Sequence, residues 1–295
     1  MEKIKYSNIK KYLKVLGIIM LLVIVIPIFS IGCNNKAIEQ EDTNLDSSQG
    51  ESIDKNQDKK QDDMSILSSF STSYMTSGVN RATNVEIATK RLDKVEVRSK
   101  SEFSFNSVVG KRNYENGFKD ALVIDKGVYV KGVGGGVCQV STTLYNAWIL
   151  AGLSVKSVKN HTIPTSYVDL SRDATVSDYI DLVLYNDSDN SVFIDACTKD
   201  KNVCINILGK AIDYTIELKT DIVEEIPIPD APPIIIDVDR LEDEEDITYK
   251  GALGYKSMLT MNKIKNGEVV ESKKLREDYY PARPNQRVVK RFRLD

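Results

Sequence analysis

Three consecutive glycines, Gly134, Gly135 and Gly136, run straight into a helix-forming stretch, and this junction constrains the fold more than any other feature of the chain. Glycines without side chains let the backbone turn sharply and be approached closely. Behind them Val140, Leu144, Ala147, Trp148 and Ala151 recur at helical spacing and form one apolar stripe. Gly152 supplies a left-handed stop, and Leu153 the hydrophobic follower such stops use. Cys138 therefore falls at, or one residue inside, the helix N-terminus. Free N–H groups and the helix dipole favour a thiolate there. One turn on, Ser141 or Thr142 and then Tyr145 predict a polar flank beside the cysteine, with the stripe buried. A reactive cysteine is the expected chemistry.

The chain has 295 residues, room for one large or two moderate domains plus tails. A hydrophobic fraction of 41% suits a globular body diluted by a polar segment. The net charge of −3 and the lack of interleaved basic and aromatic residues argue against a nucleic-acid partner. Four cysteines are too few for a disulfide scaffold. With one histidine and no paired Cys-x-x-Cys motifs, zinc has little support, and no cofactor is expected. Any step that needs an imidazole must use His161.

Residues 1–33 read as a signal or anchor. Lys3, Lys5, Lys10, Lys11 and Lys14 precede an uncharged apolar run from Val15 to Ile31. Ser30-Ile31-Gly32-Cys33 resembles a bacterial lipoprotein cleavage box, with Ser30 where leucine is usual; Cys33 would then be lipidated. An uncleaved helical anchor is the alternative, and both leave the lysines inside and the body outside. Residues 34–63 are polar and predict a disordered tether.

The globular pattern begins near Met64. Asn84 to Leu92 predicts a short helix. Val95 to Val97, Phe103 to Phe105, a pair around Asp125-Lys126-Gly127, Tyr179 to Tyr185, Ser191 to Ala196 and Val203 to Leu208 predict strands. A central helix on a mostly antiparallel sheet, class α+β, is the natural assembly for residues 64–211. A hairpin centred on Asp200 and Lys201 would set Cys197 opposite Cys204, close enough for a disulfide. Residues 212–295 read as a proline-rich, extended linker or edge-strand connection over 222–237, an acidic solvated run over 239–246, and a small all-β extension. Its hairpin turns at Asn266-Gly267 and its basic tail runs from Arg287 to Arg293.

The motif Gly-Gly-Gly-Val-Cys-Gln-Val-Ser-Thr-Thr-Leu-Tyr-Asn-Ala over 134–147 resembles the VanW family, named from vancomycin-resistance gene clusters. The likeness extends over roughly residues 67–209. It takes in Leu67 to Thr72, Arg81 with Asn84, Phe103 to Asn106, Val109-Gly110, His161, Tyr167-Val168, Arg172 to Val176 and Asp181-Leu182. Ser171 stands where the family commonly has glycine, and Thr162 where serine is common. The part from about Ile212 is similar to the G5-like extension often found after such domains. The resemblance implies an extracytoplasmic cell-wall setting without implying a reaction.

The residues themselves permit a cysteine hydrolase or transferase. Cys138 would be the nucleophile and His161 the base, with Asp173 or Asp181 orienting the imidazole. Gln139 or the N–H groups of the glycine loop would stabilise an oxyanion. Gly135, Gly136, Ser141, Thr142 and Tyr145 would line a substrate site, and Arg172 could pair with a stem-peptide carboxylate. The substrate would be a peptidoglycan stem peptide or crosslink. The alternatives are a non-catalytic wall-binding or scaffolding domain, in which Cys138 packs as a small apolar group, and a redox role for Cys138.

Overall fold

The computed structural model describes residues 64–125, 128–238 and 247–290. The expected anchor, the tether, Cys33, the acidic run over 239–246 and the end of the basic tail lie outside the described residues. Strand β1 (Met64–Ser73) is followed by helix α1 (Val79–Leu92), β2 (Val95–Val97) and β3 (Glu102–Ser104). Next come the short α2 (Phe105–Val109), the hairpin of β4 (Asp120–Asp125) and β5 (Val128–Val133), and α3 (Val137–Leu150). β6 (Ser154–Ser157), β7 (Val183–Tyr185), β8 (Val192–Lys199) and β9 (Asn202–Lys210) complete the first part. The class is α+β: α3 packs against an antiparallel four-stranded sheet of order β1-β9-β8-β2.

The predicted stripe of α3 is buried at every position. Its end takes the expected form: Gly152 has φ +78, its N–H reaches Ile149 O at 3.0 Å, and Leu153 N–H reaches Trp148 O at 3.4 Å. The polar flank departs from expectation, because Ser141, Thr142, Thr143, Tyr145 and Asn146 are buried too. Each side of the helix meets protein. Thr143 Oγ1 lies 2.8 Å from Thr72 Oγ1 of β1, and Ser68 Oγ donates to Ala147 O. On the other side the polar residues meet the strap over residues 172–176, which runs along the helix without regular structure.

Other departures are local. Phe105 starts α2 rather than continuing β3, because Ser104 Oγ accepts the Ser107 N–H and caps a helix there. Tyr179 is 99% exposed, and the strand begins only at Val183. The turn at Asp200 and Lys201 forms, both residues at positive φ, and Cys197 does face Cys204 in register. Cys204 is nevertheless a free thiol, so the expected disulfide between them is absent. Cys197 is instead engaged in a disulfide elsewhere and so offers Cys204 no thiol.

The extension holds β10 (Thr215–Ile226), β11 (Ile234–Val238), β12 (Ile247–Tyr249), β13 (Gly254–Lys265), β14 (Glu268–Tyr280) and β15 (Gln286–Lys290). β10-β13-β14 form one antiparallel sheet; β11-β15-β12 form another, with β11 and β15 parallel. Asn266 and Gly267, both at positive φ, make the predicted hairpin turn. The stretch over 222–237 takes the edge-strand form rather than that of a linker: Ile222 to Ile226 pair with β13, and the prolines sit between that strand and β11. The start of the basic tail is β15.

Candidate active site

The glycine loop connects β5 to α3 and is clamped from outside. Asn84 of α1 donates from Nδ2 to Gly135 O and Lys119 O, both at 2.9 Å, and accepts the Lys119 N–H at 2.7 Å. Gly135 packs so closely on β4 that a Cβ there would stand 2.4 Å from Leu122 O. Gly136, the residue before the helix, has φ +107. The N–H groups of Val137 and Gln139 are taken by Gly134 O and Gly136 O. Those of Gly135, Gly136 and Cys138 have no acceptor among the described residues. N–H groups without an acceptor at a helix N-terminus favour an anion nearby.

Cys138 is partly exposed at the floor of an open cleft of about 1700 Å³. Gly135, Gly136, His161, Tyr167, Arg81, Arg112 and Lys159 also line it. The Cys138 Sγ lies 3.3 Å from Val176 O and 3.5 Å from Val176 N. Burial pushes the thiol up, but the neighbouring His161, the Val176 N–H and Arg112 together bring it below the usual thiol range.

His161 is held on its far side. Its ring Nδ1–H and its backbone N–H both donate to Asp173 Oδ2, each at 2.6 Å. Burial works against the charged ring; the Asp173 and Cys138 hydrogen bonds outweigh it and raise the imidazole to about 9. Asp173 is itself buried, and despite the penalty of burial its bonds to His161 and Tyr280 keep it ionised below the ordinary carboxylate range. Cys138, His161 and Asp173 thus stand in sequence, and the geometry sets Asp173 rather than Asp181 against the imidazole. The polar flank of α3 keeps Asp173 in place. Ser141 Oγ donates to Ala174 O at 2.7 Å, Thr142 Oγ1 accepts the Ala174 N–H at 3.0 Å, and Asn146 Nδ2 donates to Arg172 O at 2.8 Å.

Several expected site residues have other duties. Asp181 accepts from Ser104 Oγ at 2.5 Å and Asn106 N at 2.9 Å, and so caps α2. Gln139 sits at the cleft edge, but its amide donates to Thr72 Oγ1 and Ser73 O and its carbonyl accepts from Arg81, leaving nothing for an oxyanion. Ser141, Thr142 and Tyr145 are buried against the strap or under Arg276 and do not line the cleft. Arg172 donates to Asn146 Oδ1 and lies over the Phe70 ring, also outside the cleft. Conversely, no local pattern assigned a role to Arg81, Arg112, Tyr167, Val176 or Tyr280, which reach the site through the fold.

The sequence profile described as "VanW like protein" matches residues 80–208, a span that holds Cys138, His161 and Asp173. Residues 80–208 are thus similar to the VanW family. The Bacillus subtilis (strain 168) protein called "Uncharacterized protein YoaR" is 43% identical over 111 residues, 38% of this chain and 37% of that one. The "Vancomycin B-type resistance protein VanW" of Enterococcus faecalis (strain ATCC 700802 / V583) is 29% identical over 116 residues, 37% of this chain and 42% of that one. The chain therefore matches about two-fifths of these relatives' length. Among solved structures, one titled "Crystal structure of HP0197-G5" aligns with 26% of this chain and 99% of its own, at 19% identity and a TM-score of 0.14. Ser171 has φ +62, the left-handed region that glycine adopts without strain.

Proposed function

We propose that this is an extracytoplasmic, membrane-anchored cell-envelope protein whose VanW-like domain performs cysteine-dependent acyl transfer on peptidoglycan stem peptides. The observation that carries the reading is the chain Cys138–His161–Asp173 at a helix N-terminus in an open cleft. In such a site the Cys138 thiolate attacks an amide carbonyl, forming a C–S bond while the carbonyl π electrons move to oxygen. The free N–H groups of Gly136 and Cys138 face the resulting oxyanion. Collapse breaks the C–N bond, and the leaving amine takes the proton held by His161. Neutral His161 then deprotonates water or a second amine, which attacks the thioester and releases the thiolate, restoring the ion pair. The cell-wall setting rests on the VanW resemblance, the anchor on the apolar run near the N-terminus.

The test is direct. Iodoacetamide should label Cys138 in the folded protein near neutral pH much faster than a model thiol, and His161→Ala should abolish the advantage. Purified stem peptides incubated with the protein should yield cleaved or exchanged products by mass spectrometry, absent with Cys138→Ala. A thiol that stays inert until denaturation, with stem peptides bound but unchanged, would instead establish a binding module.

A further inference from the structure

The strap that carries Asp173 is held on its outer side by the C-terminal extension. Tyr280, at the end of β14, is fully buried and donates its hydroxyl to Asp173 Oδ1 at 2.5 Å. The Tyr280 hydroxyl oxygen in turn accepts the Ser171 N–H at 2.8 Å. Ser171 Oγ lies 2.7 Å from the buried Ser257 Oγ of β13. Arg276 of β14, paired with Asp278, donates to Asp173 O at 3.1 Å. Thr220 of β10 donates to Leu170 O, and Asn160, next to His161, donates to Tyr279 O. Both carboxylate oxygens of Asp173 are thereby committed, Oδ2 to His161 and Oδ1 to a residue about a hundred positions later in the chain.

We infer that Tyr280 is a positioning residue of the Cys138 site: its hydroxyl fixes the Asp173 carboxylate so that Oδ2 faces His161, making the C-terminal sheet a working part of the VanW-like domain. The inference rests on the proposed acyl-transfer reading for its function, but its geometry is independent of any substrate. It also gives a use to the strained Ser171. A serine at that left-handed position carries backbone strain that glycine would avoid. In return its hydroxyl and its N–H each bond to the sheet.

The chain has one histidine, so the imidazole signals in an NMR titration of the full protein report His161 alone. The charged and titratable groups around it are Cys138, Tyr167, Arg81, Arg112 and Lys159 on the cleft side, Asp173 on the strap, and Arg276, Asp278 and Tyr280 on β14. Tyr280→Phe keeps the ring and removes the hydroxyl. Its expected result is a His161 midpoint lower by about half a unit or more, with neutral-pH alkylation of Cys138 slowed about threefold or more. A hydroxyl that only drew charge from Asp173 would, once removed, raise the midpoint; a rise, or no change, overturns the inference. Ser257→Ala breaks the neighbouring contact without touching Asp173 and should leave the midpoint in place; an equal shift there would indicate general loosening and also overturn it. Should Tyr280→Phe not fold, 3-fluorotyrosine at position 280 preserves shape while changing donor strength, and an unmoved midpoint would refute the role. If the unaltered protein's Cys138 proves no faster than a model thiol, the acyl-transfer reading falls, while the His161 titration still decides the part played by Tyr280.

Discussion

Burial alone would push the Cys138 thiol up and the His161 imidazole down, leaving both groups neutral and unreactive. Their contact reverses both shifts, and the signs have opposite consequences for stability. His161 is raised to about 9, so its contribution is fully present below about 6.5 and lost as pH rises through about 9. Cys138 is lowered, so its contribution is present above the ordinary thiol value and lost as pH falls through its folded one. Where both shifts operate, the two contributions change with pH in opposite senses and offset each other. The melting temperature should therefore fall less with rising pH than the histidine contribution alone would make it. Cys138→Ala removes two of the influences that raise His161, so the imidazole of the variant should titrate below that of the parent in an NMR titration; an unmoved midpoint would contradict the assignment. The loop glycine offers a second check at this scale. Gly136→Ala forces a left-handed alanine and sets its Cβ 2.9 Å from Arg81 Cγ, so chemical denaturation should record a loss of at least about 1–2 kcal/mol.

At the scale of elements, α3 explains why the site was only partly legible. Its stripe, its stop and the place of Cys138 follow from spacing and from Gly152. Its polar flank suggested a substrate-facing surface, yet Ser141, Thr142 and Asn146 bind the backbone of a strap that has no periodic pattern of its own. Hydroxyl and amide side chains look alike in sequence whether they meet water, ligand or a buried peptide group. The choice between Asp173 and Asp181 was hidden for the same reason: both follow His161, and only the fold sends one to the imidazole and the other to the start of α2. Two substitutions separate these duties. Thr142→Val leaves the buried Ala174 N–H without an acceptor, which should reduce stability by about 1–3 kcal/mol and slow Cys138 alkylation by loosening Asp173. Asp181→Ala removes the α2 cap, costs about 1 kcal/mol and leaves alkylation at the parent rate.

On the scale of the whole molecule, the extension was legible in its parts and not in its purpose. The Asn266-Gly267 turn and the alternation around it marked β13 and β14, whereas the prolines obscured β10, which pairs along its length with β13. Nothing in the spacing linked Tyr280 to Asp173, because a contact between residues 107 positions apart exists only after both parts have folded. One further consequence lies in the complete enclosure of α3. With every face from Val140 to Ile149 covered, its amides should trade hydrogen for deuterium only when the molecule opens as a whole. The Cys138 N–H, without an acceptor one turn earlier, should exchange at once. A single helix would then run from the fastest to the slowest clock in the protein, its loose end presented to the cleft and its body locked in the core.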